Sequence, residues 1–414
     1  MKLIFIVGFY FIIQQQAIAQ ETCYLTNESQ NANLVISSQY YIGQNTLVCT
    51  SSAKSYKGLL KGYDKSQLKI VRAHDLELKN FNKLASSHGY HLINQDIDCK
   101  KSHCNHINVI SLDAFNNIQK HTGTPMNYLG TSSIQNLVNE INPNLWQADI
   151  ITLSTWSRVS GSSENNAAKT WIEDRFNALN LQVSTQSFVA NGNLTNNIIG
   201  VQVGSTKPDE WYVVGAHMDS IPSSGNAPGA VDNASGCAGV MELARIATGH
   251  TFSSTILFIC YSGEEQGLIG STFHVNSIIS NGNQTKVKAA LTMDMIGYTS
   301  NSNHELLLET SSSNQWLMDI LAQNAATYVP ELTVFTSTNP FGSDHMPYIN
   351  NDMHGILSID DDWNVYPGYH RSTDLPENIN LDQGQYILKT NLAALAQLAE
   401  MNVNEDILFE NSFE

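Results

Sequence analysis

The sequence predicts an α/β fold: a mixed, mostly parallel central sheet sandwiched by helices, with a smaller domain in front of it. Three observations carry that prediction. Short, wholly apolar runs alternate with segments of helical spacing through the last two-thirds of the chain, the mark of strands buried on both faces. Polar residues capable of chemistry stand where those apolar runs end. The charge balance also changes along the chain: residues 20–130 hold 11 Lys and Arg against 8 Asp and Glu, whereas Thr131–Glu414 holds 9 against 30.

The elements follow in order. AAKTWIEDRFNAL, from Ala167, has helical spacing. NNIIGVQVG and EWYVVGAH, ending at His217, read as strands. DNASGCAGVMELARIA, from Asp232, reads as a helix with an Asx/Ser start. STILFICYS and VKAALTMDMIG are strands, SNQWLMDILAQNAATY is a helix, GILSID is a strand, and QYILKTNLAALAQLAEM is the last helix. Ahead of them, ANLVISSQYYI and HINVISL are short β-like runs in a segment rich in Asn, Ser, Gln and Lys. HTGTPMNYLGTSS (His121–Ser133) lacks hydrophobic periodicity and reads as a linker. The expected domains are 1–19, 20–125, 126–401 and an acidic tail, 402–414.

The 414 residues are 42% hydrophobic, enough for a sizeable core. Lys2, the run LIFIVGFYFII and the small residues of AIAQ read as a cleaved signal peptide, which places the protein outside the cytoplasm, secreted or periplasmic. After that run no stretch is long enough to span a membrane. A net charge of −17 argues against nucleic-acid binding, which needs a basic face. The six cysteines fit an oxidising compartment. Cys23 with Cys49, and Cys99 with Cys104, are candidate pairs, whereas Cys237 and Cys260, in apolar surroundings, read as buried thiols. HCNH (His103–His106) lacks the further ligands of a metal site.

The chemistry gathers at the strand ends. His217, Glu264 with Glu265, Asp294 and His370 each follow an apolar run, and Asp232 opens a helix. Ligands in open α/β sheets bind outside the carboxyl ends of the strands. Two imidazoles and several carboxylates, without cysteine, suit zinc. His217, Asp232, Glu265, Asp294 and His370 are too many for one catalytic zinc and suit two Zn²⁺ sharing one carboxylate, for which Asp232 is the natural bridge. Glu264 is then left free as general base, and Asp219 is expected to fix the tautomer of His217.

AHMDS, PGAVDNASG, YSGEEQGLIGS, LTMDMIGY, GSDH and GYHRSTD, in that order, resemble the secreted bacterial leucyl aminopeptidases, dizinc exopeptidases of metallopeptidase family twenty-eight. The resemblance runs from about Leu145 to Met401. It implies a zinc exopeptidase-like fold, the same five metal ligands with Asp232 bridging, Glu264 as base, and a signal peptide followed by an inhibitory prosegment. It puts Ser343, Asp344 and His345 near the site, where structural support is expected rather than a serine triad. The chain departs from some relatives in having no cysteine in STNPFGSDH.

A monomeric enzyme acting on peptide substrates is therefore expected. Met295, Ile359, Trp363, Tyr366 and Tyr369 are candidates for an apolar wall of the first-side-chain pocket. Asp360, Asp361 and Asp362 leave its polarity open: one carboxylate turned inward, Asp361 being the candidate, would favour Lys or Arg. A solvated charge run would favour large apolar side chains, and that is the expectation. Single-zinc glutaminyl cyclase chemistry and a catalytically silent binding domain are the competing functions.

Overall fold

The structure is a computed structural model. It describes residues 22–26, 38–42, 45–50, 62–74, 83–94, 108–123, 125, and 131–402 apart from 223. The expected signal peptide, the Cys99–Cys104 pair and the tail beyond 402 lie outside the described residues.

The N-terminal part is built from two small antiparallel sheets. The first contains β1 (Thr22–Thr26), β2 (Ser38–Ile42), β3 (Asn45–Thr50) and β4 (Gly62–Asp64), in the order β2-β3-β1-β4. The second contains β5 (Lys69–Arg72), β6 (Lys83–Ser87), β7 (Tyr90–Ile93) and β8 (Asn108–Ser111), in the order β6-β7-β5-β8. Cys23 and Cys49 face each other across β1 and β3 and form a disulfide. Leu47, Ile70, Tyr90 and Leu92 bury between the sheets.

The large domain is a nine-stranded mixed sheet. It takes in β9 (Gln119–His121), β10 (Gln182–Ala190), β11 (Asn193–Gln202), β12 (Lys207–His217), β13 (Ser254–Tyr261), β14 (Val287–Asp294), β15 (His304–Glu309), β16 (Leu332–Ser337) and β17 (Gly355–Asp360). The order is β10-β11-β13-β12-β14-β17-β15-β16-β9. Parallel pairing runs through the centre, β13-β12-β14-β17, and recurs between β15 and β16. The flanking pairs are antiparallel. β9 lies ahead of the boundary expected at residue 125 and yet forms the edge of this sheet, its Lys120 opposite Phe335.

Helices α1 (Thr131–Val138), α2 (Pro143–Ser154), α3 (Ser163–Ala178), α4 (Ser235–Ala247), α5 (Ile269–Ser280), α6 (Gln315–Tyr328), α7 (Met346–Ile349) and α8 (Leu381–Leu398) cover both faces. Strand β13 shows why. Ile256, Phe258 and Cys260 pack with α4 and α8, whereas Leu257, Ile259 and Tyr261 pack with α5 and α7, as the two-residue strand period requires. Side chains at the helix starts satisfy free amides: Asn142 accepts from Leu145 N, Ser162 from Asn165 N and Asn380 from Gln383 N. Among the described residues no helix is long and apolar enough to cross a membrane.

The expectation of free thiols at Cys237 and Cys260 is corrected. The first turn of α4 lies against β13 with the two Cα atoms 5.6 Å apart, and the sulfurs are bonded. Apolar surroundings do not distinguish a buried thiol from a buried disulfide.

Candidate metal centre

The four parallel central strands end at one edge, and their ends deliver the cluster. β12 ends on His217 and β14 on Asp294. β13 ends at Tyr261 and turns through Gly263, at φ 79°, before Glu264 and Glu265. The amides of Gly267 and Leu268 donate back to Glu264 O, closing that turn. Asp232 sits in the turn Ala230–Ala234 with non-helical φ −113° and ψ 92°. His370 and Met295 hold positive φ, 51° and 47°. Each such residue costs about 1–3 kcal/mol and persists only where the surroundings impose it.

All six residues are buried or nearly so, and they converge. Asp232 lies between the two imidazoles. Its Oδ1 is 3.4 Å from His217 Nε2 and its Oδ2 is 3.2 Å from His370 Nε2. Glu265 Oε2 is 3.0 Å from His370 Nε2, and Asp294 Oδ1 is 3.3 Å from His217 Nε2. Donor atoms of His217, Asp232 and Glu265 lie within 4.8 Å of one another, as do those of His217, Glu264 and Asp294.

Supporting contacts hold each donor. His217 Nδ1 lies 3.1 Å from Asp219 O; a carbonyl only accepts, so Nδ1 carries the proton and Nε2 faces the carboxylates with its lone pair. The Asp219 carboxylate was expected to do this. It lies further from the ring, 3.7 Å from Nδ1, and accepts from Ser160 Oγ and from the amides of Glu264 and Glu265. Asp219 therefore ties the end of β12 to the Glu264–Glu265 turn. Asp374, within GYHRSTD, accepts from the amides of Val231 and Asp232 and from Tyr366 Oη. Asn233 bonds Gly236 N, Met295 N and Met293 O, joining the start of α4 to the end of β14. Arg158, wholly buried, donates to Met218 O, Leu153 O, Pro228 O and Gly229 O, bracing the loops on either side. Ser343 Oγ donates to Asp294 Oδ2, so it supports a carboxylate rather than forming a serine triad.

The electrostatics are those of an acidic cluster short of cations. Burial pushes Glu264 well above the usual carboxylate range against the pull of His217, and raises Glu265 to about 7 against the pull of His370. Burial works against charge on His217, yet Asp294 and Glu264 carry it well above the ordinary imidazole range. His370 behaves likewise beside Glu265 and Asp232. Glu265 Oε1 is buried without a hydrogen-bond partner. Nitrogen and oxygen donors with opposed lone pairs and an orphaned carboxylate oxygen fit zinc.

Beside the cluster lies a cavity of about 50 Å³, lined by Met295, Leu357, Ile359, Trp363, Tyr369 and Phe341 among others. Four of the six expected pocket residues meet there: Met295, Ile359, Trp363 and Tyr369. Asp361 does not line it; its Oδ1 is 2.5 Å from His88 Nδ1. Tyr366 buries behind the cavity. Arg72, from the N-terminal part, also lines it. His74 from the same part donates from Nε2 to Tyr366 O at 3.1 Å and stacks on Tyr369 at 4.3 Å. A Cβ on Gly89 would lie 2.4 Å from Trp363, so glycine lets the turn between β6 and β7 approach that closely. The sequence showed nothing of Arg72, whose partner Phe341 O is 269 positions away. Asp374 was visible inside a quoted motif but carried no strand-end signal.

Residues 197–395 match the sequence model of peptidase family M28. The chain carries a peptidase family M28 domain. A probable leucine aminopeptidase of Arthroderma otae is 31% identical over 215 residues, covering 49% of this chain and 57% of that protein. The aminopeptidase LapA of Legionella pneumophila shares the fold with a TM-score of 0.58 at 19% identity, covering 80% of this chain and 98% of that one. A glutaminyl cyclase of Bacteroides thetaiotaomicron shares it with a TM-score of 0.52 at 18% identity, covering 61% and 97%. The chain spans 24%, 33% and 57% of the length of the first three curated relatives it matches. The M28 match begins in β11 and ends in α8, and so encloses all six convergent residues.

Proposed function

We propose that the protein is a secreted zinc-dependent aminopeptidase that removes the first residue of peptides, working as a monomer with two zinc ions. The observation that carries this reading is Asp232 held between His217 and His370, with Asp294 and Glu265 on either side. His217 and Asp294 would hold one ion, His370 and Glu265 the other, and Asp232 both. Zinc there supplies Lewis acidity and lowers the pKa of the attacking water toward roughly 7.

The protein's own groups do the rest. Glu264 takes the proton of the attacking water and delivers it to the departing amine. Asp219 orients Glu264 and Glu265 through their amides. The apolar wall excludes water from the first side chain.

Residues 20–125 act in this proposal as a prosegment that covers the site. A cavity of about 50 Å³ is far below the roughly 300–1,000 Å³ of working ligand pockets, and Arg72 is one reason it is so small. The signal-like leader and the disulfides support an extracellular setting.

The test is a panel of aminoacyl anilides on the full chain, before and after limited proteolysis of the N-terminal part. Activity should rise on proteolysis, disappear on chelation and return with zinc. Pyroglutamate formation without release of free amino acids would favour the cyclase reading. Zinc binding without turnover of any substrate would favour a silent binding domain.

A further inference from the structure

Glu309 stands at the end of β15 and is wholly buried. It lies opposite Leu357 in β17, while Leu307 lies opposite Ile359, and Ile359 is paired with Asp294. Paired positions share a sheet face, so Glu309 shares the face of Leu357 and Ile359, one pleat back from the metal edge. Leu357 and Ile359 of that face line the cavity beside the cluster, and Glu309 lies behind Arg72, which lines the cavity in front of it.

Arg72 fills the space above Glu309. Its Nη2 is 3.2 Å from Glu309 Oε2, and its Nη1 donates to Phe341 O at 2.5 Å. The guanidinium lies 4.9 Å from the Trp363 ring and 5.7 Å from Tyr90. Glu309 also accepts from Tyr90 Oη at 3.0 Å and from Phe341 N at 2.7 Å. Two of these three partners, Arg72 and Tyr90, belong to the N-terminal part. Without that part Glu309 keeps one amide, and a buried carboxylate so poorly compensated favours an incoming cation.

Two neighbouring acids keep their partners without the N-terminal part. Asp360 accepts from Gln383 and Tyr298 N, both within the large domain. Asp362 accepts from Ser300 N. Asp361 loses His88 with that part, as Glu309 loses Arg72 and Tyr90, and is the competing acid that the test separates. A Lys or Arg side chain suits walls of Met295, Leu357, Ile359 and Trp363, because its stem is apolar and only its tip is charged.

We propose that Glu309 is the specificity-determining acid of the first-side-chain pocket, selecting Lys or Arg, and that Arg72 occupies its place in the uncleaved chain. This rests on the aminopeptidase reading, and it replaces the expectation of a wholly apolar pocket.

The test uses the zinc-loaded full chain with Arg72→Ala, alone and combined with Glu309→Gln, the combined variant leaving no unpaired charge. Lys, Arg, Leu and Met p-nitroanilides are compared by kcat/KM, and each form is also assayed after limited proteolysis. Arg72→Ala should prefer Lys and Arg over Leu by roughly tenfold or more, and adding Glu309→Gln should lower that ratio by on the order of 100-fold. Asp361→Asn should leave the ratio unchanged. Preference for Leu or Met in Arg72→Ala overturns the proposal. So does an equal loss on all four substrates with Glu309→Gln, which would mean that Glu309 only holds the Phe341 loop. A ratio that follows Asp361→Asn overturns it in favour of the other acid. If no form cleaves any anilide with zinc bound, the aminopeptidase reading itself fails.

Discussion

Glu264→Gln separates the base from the ligands. Glu264 is buried, and its Oε2 lies 4.0 Å from His217 Nε2, close enough for one ion to touch both. The geometric cluster His217–Glu264–Asp294 admits a ligand role, whereas the proposed mechanism assigns Glu264 proton transfer alone. Glutamine keeps the volume, and the backbone amide still donates to Asp219 Oδ1 at 3.3 Å, so the turn is retained. Glutamine removes the cost of burying a carboxylate, and it removes both the attraction to His217 and the repulsion with Glu265 and Asp294, so no large loss of stability is expected. Loss of a general base typically costs a factor of about 10²–10⁴ in kcat, or roughly 3–5 kcal/mol of transition-state stabilisation. Turnover of the proteolysed enzyme would be measured together with zinc per chain by elemental analysis. The expected result is kcat lower by about 10³ with zinc still near two. Zinc falling toward one would make Glu264 a ligand, and near-normal kcat with full zinc would remove it from the chemistry.

Three further outcomes are expected. A Cβ at Gly384 in α8 would lie 1.9 Å from the buried Trp146 ring, which donates to Ser235 O near the Asp232 turn. Gly384→Ala should therefore cost about 3 kcal/mol and lower the thermal midpoint by roughly 5 °C; an unchanged midpoint would show that Trp146 yields freely. Burial depresses His274 to about 4, below its unfolded value near 6.5, so the unfolded chain binds the extra proton between those values. Stability present above pH 6.5 should fall by about 3 kcal/mol toward pH 4 in denaturant titrations, and His274→Phe should flatten that slope; an identical slope in the variant would refute the assignment. The Cys237–Cys260 disulfide closes a loop with a sequence separation of 23, so replacing both with Ala should cost about 3 kcal/mol, whereas no loss would indicate that packing alone holds α4 to β13.

Much of the site was legible because strand ends announce themselves. His217, Asp294 and the Glu264–Glu265 pair each follow a run whose length and β-branched content mark a buried strand. The central strands and helices α3, α4, α6 and α8 were legible for the same reason. Short or amphipathic elements were not. α1, α2 and α5 carry mixed faces, and β10 is an exposed edge whose alternation is diluted by Ser, Thr and Gln. Contacts between distant segments left no local signal: the reach of Arg72 to Glu309 and of His88 to Asp361 depends on how two folded units meet. The Asp361 expectation went astray for that reason, since its carboxylate turns toward an imidazole supplied from elsewhere in the chain.

Strand β9 gives the site of processing a physical weight of its own. It caps β16 at the edge of the large sheet, and its three residues lie between the small N-terminal sheets and helix α1. A protease cutting before Gln119 would leave a mature enzyme whose outermost ribbon is already paired. One cutting after His121 would bare the backbone of β16 and offer it to any passing chain as a template for aggregation. Where the scissors fall would then decide solubility as well as activation.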